Sequence, residues 1–179
     1  MSIQIIYFVH GTTYDNAIGK CSGWKQAELT NKGKERAIKL GEIRKDTHFD
    51  VIFTSDLIRA ITTASLAFPK YDSIQDNRLR ECNYGDYDGG DKKLVVYEEH
   101  IDIPFPNGES LKDVENRVRD FLKYIDSNYP DKTVGIIAHR APQLALEVIT
   151  KGITWEEAIE NDWRKKGDWQ PGWQYTLKK

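Results

Sequence analysis

Three short apolar runs, at residues 3–9, 51–53 and 133–138, constrain the fold of this chain more than any other feature. They are nearly continuous and rich in β-branched and aromatic residues, without the regular polar alternation of a strand that faces water. Runs of this length are typical of strands that are buried on both faces, as in a parallel sheet covered by helices. The sequence therefore predicts an α/β fold: a three-layer α/β/α sandwich with a mostly parallel central sheet.

Segments with apolar residues at steps of three and four predict helices between these strands. Ser110 and Asp113 have the spacing of a capping box. Residues 54–56 are expected to cap the helix that follows the second apolar run. Residues 77–107, rich in glycine and proline, are expected to form long loops with one helix at 92–99. The remaining predicted elements are helices over residues 30–45, 57–64, 111–125, 142–150 and 155–161 and a strand over 173–177.

Composition excludes several classes of protein. The 179 residues carry 28 acidic and 26 basic side chains that alternate along the chain, so we expect no nucleic-acid partner and no membrane-binding surface. No apolar run approaches the roughly 18 residues of a membrane-spanning helix, and the start lacks the basic region of a signal peptide. Cys21 and Cys82 are the only cysteines, which predicts reduced thiols and a cytoplasmic location. The length predicts a single domain over residues 1–179.

Chemically active side chains follow all three apolar runs. His10 comes directly after the first, Arg59 lies shortly after the second, and His139 comes directly after the third. Ligands of parallel sheets bind at the carboxyl ends of the strands. Arg59 lies in the first turn of its predicted helix, where a side chain leans toward the helix N-terminus and thus toward that edge. Two imidazoles and a guanidinium there predict an anion site, with phosphate as the natural ligand.

Six blocks in order along the chain resemble the histidine phosphatase superfamily, which has the phosphoglycerate-mutase-like fold. The resemblance covers nearly the whole chain. The blocks are V-H-G-T-T-Y-D-N at 9–16, S-G-W at 22–24, S-D-L-I-R-A at 55–60, L-R-E at 79–81, P-N-G-E-S at 106–110 and I-I-A-H at 136–139.

The resemblance implies a covalent mechanism in which neutral His10 attacks phosphorus and Glu81 gives a proton to the leaving group. It implies that Gly11 leaves its backbone N–H free to meet the phosphoryl oxygens. Tyr84 either lines the substrate pocket or packs in the core. No metal or other cofactor is implied. The further phosphate ligands that the resemblance implies are Arg59, protonated His139, the Thr13 hydroxyl and the Asn16 amide.

The chain departs from the family pattern at one position of the first block. Val9 stands where the family has an arginine, so one cationic phosphate ligand is missing. Loss of one charge-stabilising donor typically lowers the rate by about 10²–10³. Arg140, next to His139, is the expected substitute, and a guanidinium that faces solvent is the equally weighted alternative.

We therefore expect a metal-independent phosphatase that acts on a small phosphorylated metabolite. Val9 motivates one alternative, a non-catalytic protein that binds a phosphorylated ligand. The other alternative is a mutase of the phosphoglycerate type, which the short span of residues 81–107 disfavours because it is too small to form a closed lid. Tryptophans at positions 163, 169 and 173 either stack on a substrate or partner or pack at an edge of the fold.

Overall fold

One five-stranded sheet forms the centre of the protein, whose computed structural model describes residues 2–178. Its strands are β1 (Ser2–Val9), β2 (Val51–Thr54), β3 (Ser73–Gln75), β4 (Thr133–Ala138) and β5 (Trp173–Lys178). They lie in the order β3-β2-β4-β1-β5. All neighbouring pairs are parallel except β1 and β5, which are antiparallel. The mostly parallel sheet is therefore confirmed, and β3 is a strand that the sequence pattern did not predict.

Helices cover both faces of this sheet. They are α1 (Tyr14–Ala17), α2 (Asn31–Ile43), α3 (Ile58–Ala67), α4 (Leu111–Asn128), α5 (Arg140–Lys151), α6 (Trp155–Glu160) and α7 (Trp163–Lys166). Helices α2 and α3 contribute to one buried apolar cluster, and α4, α5 and α6 contribute to the other. The predicted three-layer sandwich is confirmed. Within residues 2–178, no helix has the length and apolar character needed to cross a lipid bilayer.

Strand β1 shows why its sequence is apolar on both sides. Ile6 and Phe8 pack in the cluster that contains residues of α2 and α3. Ile5 and Tyr7 pack in the cluster on the opposite face. Successive side chains of a strand point to opposite faces, so a central strand between two helical layers needs apolar residues at nearly every position.

Two local predictions are wrong. The helix expected at 92–99 is replaced by two short 3₁₀ turns, Lys92–Leu94 and Tyr97–Glu99. Val95 and Val96 lie between them, and Val96 has extended backbone, a conformation that β-branched residues favour over a helix. Helix α3 is not capped by residues 54–56, because its N-cap is Leu57 without a side-chain hydrogen bond.

Candidate active site

The register of the sheet brings the residues that follow three neighbouring strands to one edge. Val9 pairs with Ala138 and Thr54 pairs with Ile137, so β1, β2 and β4 end at almost the same level. The N–H of His10 continues this pairing by donating to the Ala138 carbonyl at 3.1 Å. The histidines that follow β1 and β4 therefore begin side by side at the carboxyl edge, as expected for parallel strands.

His10 has the protonation state of a nucleophile. Its ring is half-buried, and Nδ1 lies 2.7 Å from the Gly11 carbonyl oxygen. Because a carbonyl oxygen only accepts, the neutral ring has its proton on Nδ1 and its lone pair on Nε2. Burial and the nearby charge of Arg59 lower the pKa of His10 to about 3, against the opposing effect of the Gly11 hydrogen bond. Within residues 2–178, Nε2 has no hydrogen-bond partner.

His139 lies beside His10, with ring centroids 5.0 Å apart and ring planes inclined by 57°. It is fully buried and is the N-cap residue of α5. The Tyr7 hydroxyl fixes its backbone, accepting the His139 N–H at 3.0 Å and donating to the His139 carbonyl at 2.8 Å. Because Tyr7 is on β1, the strand that leads into His10 also positions the second histidine.

Hydrogen bonding assigns a neutral tautomer to His139. The Ser55 hydroxyl lies 2.6 Å from Nε2 and accepts the Leu57 N–H at 3.4 Å. Its own proton has no other acceptor within residues 2–178, so Nε2 accepts it and the ring proton is on Nδ1. That Nδ1 is buried and has no hydrogen-bond partner there. Burial and the charge of Arg59 hold the pKa of His139 well below its ordinary value, which favours a neutral ring here over the protonated ring that the resemblance implies.

Arg59 supplies a positive charge that no carboxylate contacts within residues 2–178. Its side chain is 2% exposed. The guanidinium donates to the carbonyl oxygens of Gly23 at 2.7 Å and Lys25 at 3.0 Å. Burial lowers the pKa of Arg59, and its charge lowers the pKa of both histidines. A buried cation without a counter-ion is unfavourable, so an anion is the ligand that this edge of the sheet lacks.

Glu81 lies against the first turn of α5. Its Oε1 accepts the N–H of Ala141 at 2.9 Å and the N–H of Cys82 at 3.0 Å, and its Oε2 accepts the N–H of Arg140 at 3.2 Å. Its backbone carbonyl is held by Trp24 Nε1 at 2.8 Å and Arg117 Nη2 at 2.9 Å. These contacts place the buried carboxyl group next to the helix start that carries His139.

Gly11 does not have the free N–H that the resemblance implies. Its N–H donates to the Thr63 hydroxyl at 3.0 Å. A Cβ at position 11 would lie 2.7 Å from the Gly33 carbonyl oxygen. Gly11 therefore lets the loop after β1 approach α2 closely, and its N–H is not available to a phosphoryl oxygen in this arrangement.

Thr13 and Asn16 form the capping box of α1. The Thr13 hydroxyl accepts the Asn16 N–H at 3.1 Å, and Asn16 Oδ1 accepts the Thr13 N–H at 3.2 Å. Thr13 is fully buried, whereas Asn16 is exposed. Within residues 2–178 the Asn16 Nδ2 group donates to no protein atom.

Tyr84 and Arg140 make contacts that the sequence did not reveal. Tyr84 is buried, its hydroxyl lies 2.8 Å from that of Tyr97, and its ring packs against Phe105 at a centroid distance of 5.1 Å. It packs in the core. The Arg140 Nε donates to Asp162 at 2.7 Å, and the guanidinium lies 4.2 Å from the centroid of Tyr97. Arg140 is thus held by a carboxylate and a ring instead of pointing freely into the crevice.

A third arginine near the site, Arg164, was not predicted from the sequence. Arg164, on α7, donates from its backbone N–H and from Nη1 to the buried Asp162, both at 3.0 Å, and its guanidinium lies over the Trp163 ring at 4.3 Å. Its charge contributes to the low pKa of His10. The sequence signal is a basic run behind a capping aspartate, which indicates a short helix but does not show that the helix lies near β1.

Two curated proteins with similar sequences carry the same enzyme name. The 2,3-bisphosphoglycerate-dependent phosphoglycerate mutase of Bartonella bacilliformis is 32% identical over 180 residues, which cover 89% of this chain and 86% of that protein. The enzyme of the same name from Brucella melitensis is 30% identical, with 90% of this chain and 88% of that protein covered.

Solved structures share the fold. YhfR of Bacillus stearothermophilus superposes with a TM-score of 0.77 at 26% identity, covering 87% of this chain and 83% of that one. A putative alpha-ribazole-5'-P phosphatase from Escherichia coli superposes with a TM-score of 0.80 at 22% identity, covering 88% and 84%. The family model of the histidine phosphatase superfamily (branch 1) matches residues 6–164. With that match over most of its length and these relatives, the chain belongs to the histidine phosphatase superfamily.

Proposed function

We propose that this chain is a metal-independent phosphatase that hydrolyses a phosphomonoester through a phosphohistidine on His10. The observation that carries the proposal is the free Nε2 lone pair of a neutral His10 beside two donor groups that lack an anion. These are the buried guanidinium of Arg59 and the Nδ1–H of His139, which has no partner in the described part of the chain. Neutral imidazole is the nucleophilic form of histidine, and the two donors suit the equatorial oxygens of a transferring phosphoryl group.

In the first step, His10 Nε2 forms a bond to phosphorus while the bond from phosphorus to the leaving oxygen breaks. Glu81, in its acid form, gives its proton to that oxygen, so the product leaves as a neutral alcohol. The phosphorylated ring becomes positively charged. Its Nδ1–H then makes a charge-assisted hydrogen bond to the Gly11 carbonyl, which already lies at 2.7 Å.

In the second step, water attacks phosphorus and the Glu81 carboxylate takes its proton. The bond between phosphorus and Nε2 breaks, and the lone pair returns to His10. Oε2 is the carboxylate oxygen best suited to carry the proton in both steps, because it accepts only one hydrogen bond, from Arg140 at 3.2 Å. Inorganic phosphate leaves, and the site returns to its starting state.

Arg164 is the residue that we propose to supply the positive charge missing at Val9. Both Arg140 and Arg164 pair with Asp162, and both guanidinium groups lie over an aromatic ring. The observation that favours Arg164 is that its charge, after burial and Arg59, contributes to the low pKa of His10.

Mutase activity is the second candidate function, because the relatives from Bartonella and Brucella carry that name. The connection between Glu81 and Asn107 weighs against it. This connection contains only short 3₁₀ turns and loops, which offer little to close the site against water while a phosphoryl group is transferred back. Hydrolysis is therefore the outcome that we expect.

The test is turnover of 4-nitrophenyl phosphate in the presence of EDTA, for the wild type and for His10→Ala. We expect EDTA-resistant turnover that falls by at least about 10³-fold in His10→Ala, because the nucleophile is lost. His48→Ala, which removes an exposed histidine, is the matched control and should keep wild-type turnover. Circular dichroism checks that each variant is folded.

Three results would contradict the proposal. Equal turnover by His10→Ala would exclude His10 as the nucleophile. Exchange of phosphate between 2- and 3-phosphoglycerate without net hydrolysis would show a mutase. Failure to turn over a broad panel of phosphomonoesters, together with thermal stabilisation by inorganic phosphate, would show a binding protein.

A further inference from the structure

A cavity of about 540 Å³ opens beside His10, between α2 and the C-terminal segment. We call it the tryptophan cavity. Its wall includes Val9 and His10 from the end of β1, Arg36 and Lys39 from α2, and Trp163 and Trp169. The volume lies within the range of about 300–1,000 Å³ that is usual for small-molecule sites. Because His10 forms part of the wall, whatever occupies the cavity is next to the proposed nucleophile.

The two tryptophans of the cavity differ in how they are held. Trp163 is fixed, since its ring stacks on Trp173 at a centroid distance of 5.1 Å and its Nε1 donates to Gln143 at 3.2 Å. Trp169 is 56% exposed. An exposed indole gains free energy when a planar apolar group covers it, and stacking on an aromatic ring adds to that gain.

The charged side chains of the cavity wall are all basic. Arg36 and Lys39 are exposed and lie three residues apart, on one side of α2. Arg36 reaches back to the loop after His10, where its Nη1 lies 3.5 Å from the Thr12 hydroxyl. No aspartate or glutamate is among the described residues that line the cavity. The wall therefore attracts a negative group and offers no carboxylate to bind sugar hydroxyls.

We propose that the tryptophan cavity binds the leaving group of the substrate, and that this group combines a planar aromatic ring with a second negative charge. The proposal rests on the proposed function, because it assumes that the phosphoryl group is at His10. The ring then stacks on Trp169, and the second anion lies near Arg36 and Lys39. The substrate class is thus an anionic aryl or heteroaryl phosphomonoester.

The test compares kcat/KM for three substrates: 4-carboxyphenyl phosphate, phenyl phosphate and glycerol 2-phosphate. We expect Trp169→Ala to lower the ratio of phenyl phosphate to glycerol 2-phosphate about tenfold, because the stacking partner of the ring is lost. We expect Arg36→Gln combined with Lys39→Gln to lower the ratio of 4-carboxyphenyl phosphate to phenyl phosphate about tenfold. Ratios within one enzyme cancel effects on the phosphoryl site.

Matched controls come from the same chain. Ile103→Ala removes an exposed apolar side chain that is 67% exposed and outside the cavity. Lys34→Gln removes an exposed charge from α2 at a position that does not line it. Both controls should leave the two ratios unchanged. Unchanged ratios in Trp169→Ala or in the double variant, with wild-type turnover present, would overturn the proposal while leaving hydrolysis at His10 intact.

A binding measurement separates this proposal from the proposed function. Isothermal titration calorimetry with 4-carboxybenzylphosphonate, which cannot be hydrolysed at its carbon–phosphorus bond, measures occupancy without turnover. We expect wild-type binding to weaken about tenfold in Trp169→Ala. If no substrate is hydrolysed but this loss is observed, the cavity proposal stands and the phosphatase proposal fails. Equal affinity in the wild type and Trp169→Ala would overturn the cavity proposal.

Discussion

Charge placement around His10 decides whether this residue is a nucleophile or a cation. The Gly11 carbonyl holds the proton on Nδ1, and burial together with the charge of Arg59 opposes a second proton. The Ser55 hydroxyl likewise contacts Nε2 of His139, and burial and the charge of Arg59 oppose a second proton on this ring. With both imidazoles neutral, the positive charge beside them is the buried guanidinium of Arg59. A phosphate dianion can therefore enter the site without displacing a counter-ion.

This charge placement predicts an unusual pH dependence. The pKa of His10 is about 3 in the folded protein, against about 6.5 in an unfolded chain. As the pH falls, the unfolded chain takes up the proton first. The contribution of this ring to the free energy of unfolding is therefore full above about pH 6.5 and decreases as the pH falls toward about 3.

The measurement is a nitrogen-15 NMR titration of the His10 ring, assigned with a His10→Asn variant. We expect Nε2 to keep the chemical shift of an unprotonated nitrogen between about pH 8 and pH 5. A midpoint near the ordinary value of about 6.5 would show that burial and Arg59 do not control this ring.

The sequence was enough to predict which side chains lie at the candidate site, but not which residues some of them contact. The structure brings His10, His139 and Arg59 together because each directly follows a strand or opens the next helix, and such positions can be read from the pattern. Arg140 could not be placed in this way. Its partner Asp162 is 22 positions away, so only the tertiary fold shows which group its guanidinium contacts.

At the scale of elements, two side chains that were expected to cap α3 bind other residues instead. Ser55 was expected to help cap α3, but its hydroxyl is bound to His139. Asp56 was expected there too, but its carboxylate pairs with Arg80 at 2.7 Å. Helix α3 therefore begins without a cap from these residues, and Gln26 Oε1 from another segment accepts the N–H of Ile58 at 2.8 Å. Local capping rules fail where a residue has a stronger partner from another element.

The contact between the loop after β1 and the first turn of α2 gives a prediction for Gly33→Ala. A Cβ at position 33 would lie 2.3 Å from the Thr12 carbonyl oxygen, a backbone atom that also accepts the Thr30 N–H at 2.9 Å. We expect the free energy of unfolding to fall by about 1–3 kcal/mol, because the helix and the loop must separate. Urea denaturation measures this change.

The sign of the change makes this test decisive. Helix propensity alone favours alanine over glycine by roughly 0.5–1 kcal/mol, so a more stable Gly33→Ala variant would show that the contact does not constrain the loop. Lys34→Ala, at the next and exposed position of α2, is the control and should change stability little.

At the scale of the whole molecule, the parallel topology explains why a fold prediction also located the site. Strands β1, β2 and β4 are neighbours that run in one direction, so the residues after them must meet. The position of the C-terminal segment does not follow from the order of the parallel strands. Strand β5 returns antiparallel beside β1, and the segment before it brings Trp163 and Trp169 to His10. That return could not be read from local periodicity, because it depends on pairing between the two ends of the chain.

The central claim is that the phosphoryl group of the substrate is transferred to His10. Rapid acid-free quenching during turnover of an aryl phosphate, followed by peptide mass spectrometry and phosphorus-31 NMR, tests it most directly. The account predicts an acid-labile, alkali-stable phosphoryl group on Nε2 of His10, absent from His10→Ala. Sustained hydrolysis with no phosphate on His10, or with phosphate on another residue, would contradict it.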